Sequence, residues 1–188
     1  MAGQARMSEA TWRPMNATDL PAVLAVAAVV HPDYPEDEAV FAERLRLFSD
    51  GCLVLEGPSG LLGYVVAHPW HRGAPPALNT SLGHLPDAPG AFYIHDLALL
   101  PAARGTGAGR LILERLVALA RQAQQPRLAL IAVNDSSGFW QRHGFREMHD
   151  PALAAKLASY DDAARYLERE LEVPAPPASP TRNHEEDQ

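Results

Sequence analysis

Apolar positions along the chain switch between helical and strand-like repeats, and the switches mark out alternating elements. The stretch "TWRPM" from Thr11 is short and mixed, as expected of a strand. Thr18 or Asp19 can then cap a helix from Leu20 to about Val30, with Pro21 in the first turn, where its missing N–H does no harm. "PEDEAVFAERLRLFSDG" opens with proline and acids, sets Ala39, Phe41, Leu45 and Phe48 near helical spacing and stops at Asp50 and Gly51, which predicts a second helix. "CLVLEGPSGLLGYVVAHPW" carries two apolar runs separated by Gly57, Pro58, Ser59 and Gly60, the pattern of a hairpin joining a second and a third strand.

Residues 69–90 contain prolines and glycines with no sustained period, so they predict an irregular loop of unusual length, a kind that is often functional. A strand from about Phe92 to Leu100 comes next, then a helix from about Gly107 to Gln122 with Leu111, Leu113, Leu116 and Leu119 on overlapping faces. "RLALIAV" reads as a strand buried on both sides, and "NDSSGFWQRHGF" as a short capped helix ending at Gly144. "ARYLEREL" alternates enough for a final strand, although a helix also fits. The expected architecture is a single mixed α/β (α+β) domain over residues 11–172, with helices flanking a central sheet. Residues 1–10 read as a flexible lead-in, and residues 173–188 as a disordered, acidic, proline-rich tail.

Composition narrows the function. The chain has 188 residues and a formal charge of −7, with a pI near 5.6, which argues against a partner held by its phosphate backbone, so no nucleic acid is expected. An acidic surface suits a cationic partner. No run of 18 or more apolar residues occurs and the start lacks a secretory pattern, so the expectation is a cytoplasmic protein without a membrane partner. The lone Cys52 lies in an apolar run and reads as a small core residue. His31, His68 and His71 are too scattered for a metal site, and none is expected.

The densest chemical signal is "LLPAARGTGAGRLILERL", where Arg104, Gly105, Thr106, Gly107, Ala108, Gly109 and Arg110 fall at a strand-to-helix junction. Free amides and the positive end of a helix dipole make such a junction a site for anions. Glycine supplies positive φ and close backbone approach, and Arg104 adds charge. A Walker loop would need lysine followed by serine or threonine after the last glycine, but Arg110 and Leu111 stand there. The dinucleotide fingerprint counted from Gly105 would need glycine at Arg110, and no acid ends a strand about 20 residues on.

The string "IHDLALLPAARGTGAGRLILERL" instead resembles the acyl-CoA-binding segment of the GNAT superfamily of N-acyltransferases, whose signature Arg104, Gly107 and Gly109 match in register. Asn134, Phe139, Trp140, Gly144 and Phe145 match the family's second signature. This resemblance implies a sheet splayed between the fourth and fifth strands. Backbone groups of Leu97, Ala98 and Leu99 would there pair with the pantetheine arm of acetyl-CoA, the cosubstrate. It also implies that amides from Gly105 to Arg110 hold the pyrophosphate and that Asn134, Ser137, Phe139 and Trp140 line the far wall. The implied reaction moves an acetyl group to a primary amine of a small cationic molecule by direct attack in a ternary complex. A protein lysine or N-terminal acetyltransferase and a non-catalytic acyl-CoA-binding module are the alternatives, and pairing as a homodimer stays open.

A lysine-like amine with a reference pKa of about 10.4 sits roughly 4.6 kcal/mol from its free base at pH 7, so a base is needed. His95 stands where family members often carry histidine or glutamate, and a histidine can accept a proton near neutrality. Asp96 could bind a cationic substrate or orient His95. Trp140 replaces the tyrosine that in many relatives protonates the departing thiolate, which leaves Tyr93, Tyr160 or water to substitute. The acceptor pocket is expected from the first interhelical loop, with His31, Asp33, Tyr34 and Glu36, and from the segment of about 150–162, including Asp162.

Overall fold

The computed structural model describes residues 10–158, 160 and 162–172, so the lead-in short of Ala10 and the tail beyond Glu172 lie outside the described residues. Strands β1 (Thr11–Pro14), β2 (Cys52–Gly57), β3 (Gly60–Trp70), β4 (Ala91–Leu99), β5 (Arg127–Ala132), β6 (Arg146–Glu147) and β7 (Arg165–Glu170) form one sheet. Its order is β1-β2-β3-β4-β5-β7-β6. All neighbours are antiparallel except β4 and β5. Helices α1 (Leu20–Val30), α2 (Glu38–Leu47), α3 (Ala108–Gln122), α4 (Ser137–Arg142) and α5 (Pro151–Leu157) cover it.

Each face has its own core. Val23 and Val26 of α1 and Phe41 of α2 pack on Val54, Tyr64, Val66 and Ala98 on one side. On the other, Ile112, Leu113 and Leu116 of α3 meet Val65, Phe92, Ile94, Leu128 and Leu130, joined by Trp140 and Phe145. Burying these side chains is worth about 1.5–3 kcal/mol each before chain entropy is counted, so the two faces clamp the sheet from both sides.

Several local expectations change in the folded chain. The cap of the first helical segment is Asn16, whose side chain accepts from the Thr18 amide at 2.9 Å, while Asp19 reaches back to the Asn16 amide. Asp19 does stand at the N-cap of α1, but its side chain makes no cap there, because it reaches back to Asn16 and is gripped by Arg13 at 2.8 Å; Asn16 caps the 3₁₀ turn over 17–19 that precedes α1. On α3, Leu111 faces outward, 53% exposed, and Ile112 and Val117 take the inner stripe with Leu113 and Leu116. On α2 Arg44 is as deeply buried as Phe41; it donates to the Thr80 carbonyl at 2.8 Å and pairs with Glu43, so the helix holds the long loop through a charge. "ARYLEREL" resolves as a strand, and the short β6 and α5 had no clear period in the sequence.

Two irregularities of β4 break the regular ladder at the centre of the sheet. Its register against β3 slips between the pairs Val66–Asp96 and Ala67–Ile94, leaving His95 as the extra residue of a bulge. Strict alternation would send His95 and Asp96 to opposite faces; the bulge turns both toward the face covered by α1 and α2. Its pairing with β5 stops after Phe92–Leu128 and Tyr93–Ala129, so the sheet opens beyond that point.

Candidate active site

The opening between β4 and β5 is continuous with a cavity of about 830 Å³. At one end lies the turn between β4 and α3. Gly105 and Gly107 have φ of 73° and 91°, and a Cβ built on either would meet nothing within 4 Å, so both present bare backbone to open space. Gly109 serves differently: a Cβ there would lie 3.1 Å from Phe139 Cζ, so the absence of a side chain lets α3 press against α4. The first-turn amides of α3 have no carbonyl partner inside the helix, and its dipole adds positive potential. Arg104 donates from Nε to the Leu99 carbonyl at 3.1 Å and Arg110 pairs with Glu114 at 2.9 Å, so two guanidinium groups stand beside those amides. A nest of this kind fits a diphosphate.

The wall across the split comes from the β5–α4 junction. Asn134 and Asp135 both have positive φ, 53° and 56°, a conformation these two residue types tolerate better than most. Phe139 and Trp140 stack edge to face at 5.1 Å, and Trp140 Nε1 donates to Ser136 Oγ at 3.2 Å. Ser136 lines the cavity and Ser137 does not. The side chains of Ala98, Thr106 and Ala108 are also away from it: Ala98 packs under α1, Thr106 donates to the Ala103 carbonyl, and Ala108 lies in a small cluster with Leu55.

The other end of the cavity holds two carboxylate–imidazole pairs. His95 Nε2 lies 2.8 Å from Glu36 Oε2, with both side chains over nine-tenths buried. Burial favours the neutral form of Glu36, but the hydrogen bond and charge of His95, with the Asn79 amide at 2.9 Å, outweigh it and hold the carboxyl below its usual range. Asp96 does not touch His95. It accepts a very short hydrogen bond from the Tyr64 hydroxyl and lies 2.9 Å from His31 Nε2, an ion-pair contact that is not aligned as a hydrogen bond. Burial opposes the charge on Asp96, yet His31 and Tyr64 keep it below the ordinary carboxylate range. His31 Nδ1 is in turn 3.0 Å from Asn134 Nδ2.

Tyr34, Tyr93 and Tyr160 complete this end, together with Leu78 from the long loop. Burial pushes the Tyr93 hydroxyl well above its ordinary value, and Tyr160 is pushed up to about 12 while donating to the Pro76 carbonyl at 2.7 Å. Asp33 and Asp162 lie outside the cavity. Glu36 was expected as one of several acids of the acceptor pocket, but its place in "PEDE", a pattern typical of an exposed helix start, gives no local signal that it turns inward to meet His95. Ser136 and Tyr64 gave no signal either, since each acts through a partner distant in sequence or through a side chain one helical turn away.

The family model for the acetyltransferase (GNAT) family matches residues 10–145. No curated protein matches the chain in sequence. Among solved structures, a GNAT-like decarboxylase, GphF, in complex with isobutyryl-CoA superposes with TM-score 0.72 at 20% identity, covering 86% of this chain and 100% of that one. N-acetylglutamate synthase from Neisseria gonorrhoeae, complexed with coenzyme A and N-acetyl-glutamate, gives TM-score 0.66 at 16% identity, covering 87% of this chain and 35% of that one. The NatC complex bound to Gag peptide and CoA gives 0.65 at 16%, covering 87% and 99%. At such identities these likenesses speak to the fold alone. With the family model spanning well over half its length and an open mixed sheet of the same fold, the chain belongs to the GNAT family of acetyltransferases, which use a CoA-type cosubstrate.

Proposed function

We propose that the protein transfers an acetyl group from acetyl-CoA to a primary amine of a small cationic molecule, by direct attack within a ternary complex. The observation that carries this reading is the His95–Glu36 pair, 2.8 Å apart and enclosed at the point where β4 bulges beside the split. In the proposed complex the bare backbone of Gly105 and Gly107, the α3 amides and Arg104 hold the pyrophosphate of the cosubstrate. The free edge of β4 from Leu97 to Leu99 takes its pantetheine arm, and Asn134, Phe139 and Trp140 form the opposite wall. The split supports this role, because main-chain groups without a neighbouring strand need a hydrogen-bonding partner.

His95 accepts the amine proton, directly or through a water, as the nitrogen attacks the carbonyl. Glu36 holds the ring in place and stabilises the imidazolium that forms. A cationic acceptor is favoured by the ionised Glu36 and Asp96 at this end, and by the faces of Tyr34 and Tyr160. A compact acceptor is favoured by the long loop, which is fastened over this end by Asn79 to Glu36, Arg44 to Thr80 and Tyr160 to Pro76.

The test is release of free CoA from acetyl-CoA, measured against a panel that includes spermidine, tyramine and a short peptide with a free N-terminus. Turnover with a small amine, reduced about 10²-fold or more in His95→Ala and about tenfold in Glu36→Gln, is the expected result. Turnover confined to the peptide would transfer the reading to a protein acceptor. No turnover with any acceptor would overturn it.

A further inference from the structure

Acetyl transfer requires two proton movements, and the His95–Glu36 pair accounts for one. The amine gives up a proton as it attacks, and the coenzyme A thiolate takes one after the carbon–sulfur bond breaks. Trp140 occupies the position where the family pattern carries a tyrosine for this second step. Its indole N–H donates to Ser136, and its ring is packed between Phe139 and Phe145. Of the phenols at this end, Tyr64 donates to Asp96 and Tyr160 to the Pro76 carbonyl, and Tyr93 and Tyr34 line the cavity, with burial pushing the Tyr93 hydroxyl well above its ordinary range. His143 turns its Nδ1 to the Phe139 carbonyl at 2.8 Å.

We propose that His31, held between Asp96 and Asn134 across the split in the sheet, is the general acid that protonates the departing thiolate. This inference rests on the acetyl-transfer reading. His31 closes α1, and its ring reaches Asp96 on β4 through Nε2 at 2.9 Å and Asn134, just past β5, through Nδ1 at 3.0 Å. Because β4 and β5 separate after Tyr93 and Ala129, a side chain that touches Asp96 within β4 and Asn134 beyond the end of β5 spans the gap the thioester must enter. The side chain is 15% exposed and lines the cavity.

The charged groups facing His31 are Asp96, from β4, and Arg104, from the turn before α3; Tyr64 of β3 acts through Asp96. Burial opposes the imidazolium and Arg104 repels it, but Asp96 and the Leu97 backbone outweigh both, so the ring keeps its proton to higher pH than an ordinary histidine. With the amide as placed, Asn134 Nδ2 donates to Nδ1, so the resting ring carries its proton on Nε2 beside Asp96. In the imidazolium Nδ1 also bears a proton, which cannot face that amide NH2, so engagement of Asn134 with the pantetheine arm turns it away and leaves the Nδ1 proton facing the cavity. Atoms and charges balance: the amine lone pair forms the C–N bond, and the electrons of the C–S bond leave on sulfur. Sulfur takes the Nδ1 proton of His31, and Asp96 retains the partner of Nε2. His95 has meanwhile gained the amine proton, and exchange with solvent restores both rings. The net transfer is one proton from nitrogen to sulfur.

A purely structural strap would not titrate with turnover, which makes the pH profile decisive. With acetyl-CoA and the best acceptor of the panel, kcat of the intact protein should fall on an alkaline limb set by His31. In His31→Gln, which keeps a polar side chain but no titratable group, kcat should drop about 10²-fold and lose that limb, with KM for acetyl-CoA changed only a few-fold. Asp96→Asn should move the limb to lower pH. An unchanged rate and limb in His31→Gln would overturn the proposal, and that variant alone suffices if Asp96→Asn fails to fold. An NMR titration of the His31 ring in protein saturated with CoA needs no acceptor. A midpoint above the usual 6.5 or so supports the proposal, and a midpoint below it refutes it, whatever the panel shows. Silence across the whole amine panel would instead count against acetyl transfer itself.

Discussion

Gly107 is the position at which the diphosphate nest can be tested with one methyl group. Its φ of 91° is left-handed and a Cβ there would touch nothing within 4 Å, so the change to alanine adds no steric clash and isolates backbone preference. Holding an L-residue in that region costs roughly 1–2 kcal/mol, offset by about 0.4–1 kcal/mol from the stiffer unfolded chain, for a net loss of about 1 kcal/mol. In a chain of 188 residues this corresponds to a fall in Tm of about 2–4 °C. If the turn instead relieves the strain by rotating toward negative φ, the amides that begin α3 change direction and CoA affinity falls about tenfold or more.

Gly83→Ala is the matching control, because Gly83 has φ of 75°, equally open space and a place in the loop away from the cavity. Thermal unfolding and calorimetric titration with CoA should show Gly83→Ala losing stability with CoA affinity unchanged, and Gly107→Ala losing stability if the turn keeps its φ or affinity if it rotates. A Gly107→Ala protein with both Tm and CoA affinity unchanged would refute the claim that this left-handed backbone grips the cosubstrate. Unchanged Tm in both would refute the strain estimate.

His68 is buried with Nε2 unpaired among the described residues, and burial pulls its pKa down to about 3. Its folded value is depressed, so the stability of its neutral form is complete above the unfolded value of about 6.5 and is lost as pH falls toward 3, by up to about 1.4 kcal/mol per pH unit. His68→Phe should flatten this slope in urea melts between pH 6.5 and 5, and an equal slope in both proteins would exclude His68 as its source. Arg72 grips the buried Glu168 with Nε at 3.0 and 3.1 Å and Nη2 at 2.8 Å, fastening the start of the long loop to β7. Arg72→Ala leaves that carboxylate with only Tyr166 and the longer contact to Arg127, and should cost about 2 kcal/mol; a loss under about 0.5 kcal/mol in the same melts would show the pair to be unimportant.

Much of the framework was legible because it depends on neighbours in sequence. The hairpin around Pro58 and Ser59, the helices from Leu20 and Ala108 and the glycine turn between β4 and α3 each arise from backbone preferences and periodicities within a few residues. The order of motifs likewise carried the resemblance to the family, which the matched family model bears out. Short elements escaped this reading. β6 has two residues and α5 seven, too few for a period to stand out, and the Asn16 cap was hidden by a 3₁₀ turn inserted before α1.

What sequence alone decided, then, is which backbone each segment prefers, and with it the glycine turn that suits an anion. Which polar groups meet was decided only by the tertiary structure. The bulge that turns His95 and Asp96 to one face depends on a register set against β3. Glu36 reaches His95 across 59 positions, and His31 reaches Asn134 across 103. Contacts of that separation carry no local signature, because they arise from how α1 and the loop before α2 pack over an opened sheet; the chemistry of the cavity is therefore a property of the packing, built on a backbone the sequence had already made explicit.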